Sequence, residues 1–170
     1  MAHLASHRRI ITAAVLTALV PLVAAGSASS AASTGAATAA APAPPPVVEL
    51  LARGTVAKPF EAQVRGIELE TERPIDVVNA HITWEPGSMV NWHTHPGPTV
   101  VTVTAGTLTV RERDCSRHTY TVGETFVEPG PKRHLARNAG ETTAETIVTF
   151  FVPVGADPLT IPATAPACAG

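Results

Sequence analysis

Beyond residue 47, apolar and polar residues alternate with a period of two along most of the chain. Between Ile75 and Trp84, the residues Val78, Ala80, Ile82 and Trp84 fall on one face and Val77, Asn79, His81 and Thr83 on the other. Glu85-Pro86-Gly87 ends the run. That period marks a strand with one face against a core. Similar runs are Met89–His95, Thr99–Thr104, Thr107–Arg113, Thr119–Val122, Thr125–Glu128, His134–Arg137 and Ala144–Val154. Turn signals separate them: Pro96-Gly97-Pro98, Ala105-Gly106, Gly123-Glu124, Pro129-Gly130-Pro131 and Asn138-Ala139-Gly140. No stretch after Val48 carries a helical stripe with caps. Short strands with a turn about every 8–12 residues predict an all-β antiparallel sandwich or small barrel. Glu49–Thr71 adds one or two strands at its start.

The first 46 residues are of another kind. Met1–Arg9 is short and basic, Ile10–Ala25 is apolar and uncharged, and the small residues Ala24 to Ser30 follow. That order predicts a secretory signal over residues 1–28. The apolar stretch is interrupted by Pro21 and is short for a membrane core, which needs about 20 residues. No stable membrane span is therefore expected after cleavage. Arg8-Arg9 resembles a twin-arginine signal and leaves the export route open. Residues 29–46 are Ala/Ser/Thr/Gly running into Ala41-Pro42-Ala43-Pro44-Pro45-Pro46, a composition that predicts a disordered linker. The folded domain is expected over 47–170, in a secreted, extracytoplasmic protein.

Charge removes one class of partner. The 170 residues hold 12 Lys+Arg and 14 Asp+Glu, a net of −2, and residues 47–170 alone carry ten basic and 14 acidic groups, a net of −4. Without a cationic run the domain lacks the footprint that binds a phosphate backbone, so nucleic acid is excluded. Export also changes the reading of the two cysteines, since an even pair outside the cytosol reads as a bridge. Cys115, in the polar stretch Arg111–His118 of a hairpin tip, and Cys168 are expected to pair. Closing that loop stabilises by about 4 kcal/mol on the chain-entropy account and pins the C-terminal tail.

Four of the seven histidines are unpromising: His3 and His7 belong to the signal, His118 to the hairpin tip, and His81 to the polar strand face. His93 and His95 stand two apart on a strand and point the same way, with Asn91 expected beside them. His134 follows the Pro-Gly-Pro turn, 39 residues on. Three imidazoles converging inside a barrel are a candidate site for Fe, Mn, Ni, Cu or Zn.

These same residues carry a family resemblance. Gly87-x5-His93-x-His95, continuing through Thr99 to Gly106, resembles the first motif of the cupins. In that motif a Gly, five residues, His-x-His, three or four residues, a Glu, six residues and a Gly follow in order. Gly123-x5-Pro129-x-Pro131-x2-His134-x3-Asn138 is similar to the second motif, with Pro131 where the family has Gly. The strand pattern extends the resemblance over about residues 60–165, and within the family the chain resembles a single-domain, quercetin-dioxygenase-like small cupin. The resemblance implies a double-stranded β-helix barrel of jelly-roll type with a divalent transition metal in its mouth. It also implies that the motif's metal-binding Glu falls at Thr99. Glu85, Glu112 and Glu124 lie near turns or strand ends and do not replace it, while the facing of Glu128 is left open. The expected set is therefore three neutral ligands, His93, His95 and His134, with Asn91 and Thr99 as hydrogen-bonding neighbours that orient water or substrate.

Such a centre keeps the full charge of a divalent ion and draws an anionic or chelating ligand. The first functional expectation is a dioxygenase-like oxidoreductase acting on a small enol, diketone, catechol or flavonol, with Val101, Val103 and Phe126 near an apolar wall. No residue stands out as a general base, so the catalytic group is left unassigned. The alternative is a non-catalytic exported module that holds a small ligand or a metal. A homodimer using residues 47–72 as an edge is compatible with either.

Overall fold

The computed structural model describes residues 44–169. The expected signal (1–28) and most of the linker (29–46) lie outside the described residues. Twelve strands follow one another: β1 (Val47–Val56), β2 (Phe60–Val64), β3 (Ile67–Thr71), β4 (Ile75–Trp84), β5 (Met89–Thr94) and β6 (Thr99–Ala105), then β7 (Thr107–Glu112), β8 (Arg117–Thr121), β9 (Thr125–Glu128), β10 (His134–Arg137), β11 (Ala144–Pro153) and β12 (Ile161–Pro162). The one helical element described is a single 3₁₀ turn, Ala167–Ala169. No helix among the described residues is long and apolar enough to cross a membrane.

Two five-stranded antiparallel sheets form the body. One runs β1-β4-β11-β6-β9 and the other β12-β5-β10-β7-β8. The non-sequential neighbours are the crossovers of a jelly roll, as the strand pattern predicts. β4 and β11 lie side by side in the first sheet, and each alternates buried with half-buried residues along nearly its whole length. Their inner faces supply Val78, Ala80, Ile82, Trp84, Val148, Phe150 and Val152 to the core, against Leu108, Val110 and Ala136 of the second sheet. The Trp84 indole N–H, buried with its ring, donates to Thr146 Oγ1 at 3.1 Å.

The N-terminal residues give three strands, one more than expected. β2 and β3 form their own two-stranded hairpin across Arg65-Gly66, whose φ angles of 50° and 82° suit a two-residue turn. Ala62 pairs with Leu69 and Val64 with Ile67, giving one apolar face, while Glu61 pairs with Glu70 and Gln63 with Glu68 on the other. β8 starts at Arg117, two residues early, because Asp114 Oδ1 accepts from Ser116 N at 3.0 Å and closes the tip tightly. His118 therefore lies on a strand and not in the tip. Cys115 and Cys168 lie at disulfide distance, with Cα atoms 6.1 Å apart.

Two motif residues are explained by packing. Gly106 has φ +64, and a Cβ there would come within 2.7 Å of the Thr143 carbonyl oxygen. Asn138 is fully buried; its Nδ2 donates to the carbonyls of Trp84 and Thr142, both at 2.8 Å, and its Oδ1 accepts from Gly140 N at 2.9 Å. It ties the β10–β11 turn to the end of β4. Asn138→Ala strands three backbone groups, and urea unfolding is expected to show a loss of about 3 kcal/mol at unchanged metal stoichiometry.

Candidate metal centre

The second sheet brings the three histidines together. His134 opens β10 directly opposite His93 on β5, so both side chains leave the same face. His95 lies just beyond the end of β5, where its N–H donates to the Gly130 carbonyl at 3.1 Å. The ring centroids are 4.2 Å (His93–His134), 4.9 Å (His93–His95) and 5.1 Å (His95–His134) apart. One ligand atom from each ring lies within 4.8 Å of the others, and all three residues are buried.

Backbone contacts decide which nitrogens face inward. His93 Nδ1 donates to the Asn91 carbonyl at 2.7 Å, His95 Nδ1 to the Leu159 carbonyl at 2.7 Å, and His134 Nδ1 to the Lys132 carbonyl at 3.1 Å. A carbonyl only accepts, so each Nδ1 carries its hydrogen and each neutral ring leaves Nε2 as a bare lone pair. Three such lone pairs in a buried cluster form a donor set that fits a divalent transition ion. His134 Nε2 is buried and makes no hydrogen bond within the protein.

Glu128 completes the picture. Its carboxylate is buried, with Oε2 3.1 Å from His95 Nε2 and Oε1 3.1 Å from His134 Nε2. Burial alone raises a carboxyl's pKa, but these two imidazoles overcome it and hold Glu128 at about 2. Burial likewise lowers His134, and Glu128 more than reverses this, leaving His134 above its usual value. His93 has no carboxylate in contact; burial first, and then the charge of His134, push it down to about 4. The facing of Glu128 follows from Phe126 two residues earlier. Both are buried on β9 while Val127 between them is 62% exposed.

The other expected neighbours divide. Thr99 is fully buried on the inner face, with an Oγ1 that has no partner within the protein. Asn91 does not share the inward face of His93. Along β10 the partners step from His93 to Val90, a bulge that adds one residue, so Val90 and His93 point inward together and Asn91 turns out to solvent. Asn91 still serves the site through its main chain, which holds His93, while its Oδ1 accepts from Trp92 N at 2.8 Å. Next to His93, His95 and Glu128 lies a cavity of about 50 Å³ with a largely apolar lining that includes Val101, Phe126 and Phe150. Val103 is buried but does not line it. His81 sits on the outer face of β4, with Nε2 3.1 Å from Glu145.

Residues 80–150, which hold both histidine motifs, match the family described as "Cupin domain". The match supports the cupin superfamily. Solved structures similar to this fold include a cupin domain from Bordetella pertussis Tohama I, 17% identical, covering 64% of this chain and 94% of that one, with a TM-score of 0.44. The cupin domain of an XRE-family transcriptional regulator from Enterobacter cloacae is 18% identical and covers 64% and 97%, also with a TM-score of 0.44. An oxalate oxidase structure is 28% identical over 51% of this chain and 52% of that one, with a TM-score of 0.39. No curated protein matches the chain.

Proposed function

We propose that this protein is an exported, metal-dependent cupin of dioxygenase-like type that acts on a small chelating substrate. The observation that carries the reading is the set of three bare Nε2 atoms, fixed by backbone carbonyls, beside a largely apolar cavity that His93 and His95 line. A transition ion bound there supplies Lewis acidity toward an oxygen chelate and a redox centre for dioxygen. The chain's own part is to hold the donors still, to exclude water with Val101, Phe126 and Phe150, and to offer the Thr99 hydroxyl within the buried wall. Cavity size narrows the substrate class: about 50 Å³ is far below the roughly 300–1,000 Å³ of sites that enclose drug-sized ligands. Only a chelating head such as an enolate or a small diketone is enclosed, which favours those over a flavonol.

Export is supported by the predicted signal over 1–28 and by the cysteine pair at disulfide distance. A homodimer belongs to the same reading. β1 ends the first sheet, and Val47, Val48, Leu50 and Leu51 on it are more than half exposed.

The test is to load the mature protein anaerobically with Fe(II), add acetylacetone as the chelating probe, and admit oxygen. Oxygen uptake above the protein concentration, with loss of the diketone, is the expected result. Stoichiometric binding with no turnover across a panel of small diketones and enolates overturns the enzymatic reading and leaves the non-catalytic binding module.

A further inference from the structure

We propose that Glu128 is the carboxylate ligand of this metal site, standing in from β9 for the glutamate that the motif pattern places at position 99 on β6. The assignment rests on the metal-site reading above and adds to it a residue at a position that the second histidine motif leaves unspecified.

Register is the first support. Thr99 and Glu128 are direct partners in the antiparallel β6–β9 pair. Residues so opposed project from the same face, with Cβ atoms about 4.5–5.5 Å apart. A carboxylate moved across that pair stays on the inner side of the barrel, and a glutamate side chain can span the difference. Thr99, small and fully buried, takes up the room beside it.

Charge is the second. Glu128 is buried, and among the described residues no Lys or Arg is within ion-pairing distance; its charged-group neighbours there are His95 and His134. A buried carboxylate needs a cation or strong donors. With its Nδ1 hydrogen already given to a carbonyl, each of these histidines offers Glu128 an Nε2–H only by taking on a second proton.

Direction is the third and most specific. Glu128 Oε1 is 3.1 Å from His134 Nε2, but that nitrogen has no hydrogen-bond partner, so the oxygen lies to one side of the line an N–H would take. Two donors at right angles on one ion, each about 2.1 Å from it, lie about 3.0 Å apart, and each lone pair then points about 45° away from the other donor. Both the separation and the misalignment are what two neighbouring ligands of one ion show. With Glu128 among the ligands a divalent site carries a net charge of +1 and not +2. It therefore draws anions less strongly than three neutral ligands would.

The experiment titrates the mature protein with Co(II), following the visible absorption bands of the bound ion, in wild type, E128Q and E128D. E128D keeps the charge but withdraws the carboxyl by one methylene, and it carries the test if E128Q does not fold. Both variants are expected to bind at least about 10-fold more weakly, with shifted bands. E128D and E128Q whose cobalt bands match those of wild type overturn the assignment whatever their affinity, because loss of a mere hydrogen-bonding neighbour of the ligands can itself weaken binding by roughly 10–100-fold. Wild-type protein that takes up no cobalt overturns the metal reading itself, and the assignment with it.

Discussion

His93→Ala is expected to weaken Zn(II) or Co(II) binding at least about 100-fold while leaving the barrel folded. Apparent binding free energies of roughly 10–16 kcal/mol shared over about four ligands give about 3 kcal/mol for each. Among the three histidines, His93 isolates this effect best. His134 and His95 each stand 3.1 Å from Glu128, so truncating either also strips a partner from a buried carboxylate, which costs about 3–5 kcal/mol of stability. His93 makes no such contact. Among the described residues its side chain bonds the Asn91 carbonyl alone, and its ring packs edge-on against the other two. Competition against a chromophoric chelator measures the affinity, and a urea melt of the metal-free variant checks the fold. Wild-type affinity in the variant would exclude His93 from the donor set.

Acid should destabilise the metal-free protein in a way that can be assigned to single residues. His93 titrates at about 4 in the folded state against about 6.5 unfolded, so between those values the unfolded chain holds the extra proton. Its contribution is present above pH 6.5 and is lost as the pH falls to about 4, a change of about 3 kcal/mol. Glu128, held at about 2, adds a second loss that begins near pH 4.5 and runs down to about 2. His134 has the opposite sign: its pKa is raised, so its stabilisation is complete below about pH 6.5 and disappears as the pH rises through the folded value. The three windows barely overlap. Urea unfolding from pH 7 to 4 should therefore show a slope that His93→Gln flattens. An unchanged slope in that variant would show that His93 is not buried as a neutral ring.

Legibility varied with how clearly each strand shows one wet face. β4 and β11 were plain because Val78, Ala80, Ile82 and Trp84, or Val148, Phe150 and Val152, mark one phase over ten residues. His93, His95 and His134 were plain for the same reason, since spacing on a strand sets the face. Asn91 was misplaced because a bulge is a local choice of register that alternation does not reveal. β9 is only four residues, and Phe126 and Val127 are both apolar. Its phase was thus ambiguous, and the inward turn of Glu128 could be read only after Phe126 was known to be in the core. β1 carries exposed apolar residues on both faces, beside Glu49 and Arg53, and so gave no clear phase. Its exposed Val47, Val48, Leu50 and Leu51 show why.

The carbonyl that fixes His95 comes from Leu159, in the segment between β11 and β12. The segment after it lies along β5. Ile161 and Pro162 pair with Thr94 and His93, Ala163 N donates to the Trp92 carbonyl at 2.8 Å, and Cys168 meets Cys115. Removing residues 159–170 would keep every histidine of the site yet leave His95 free to turn.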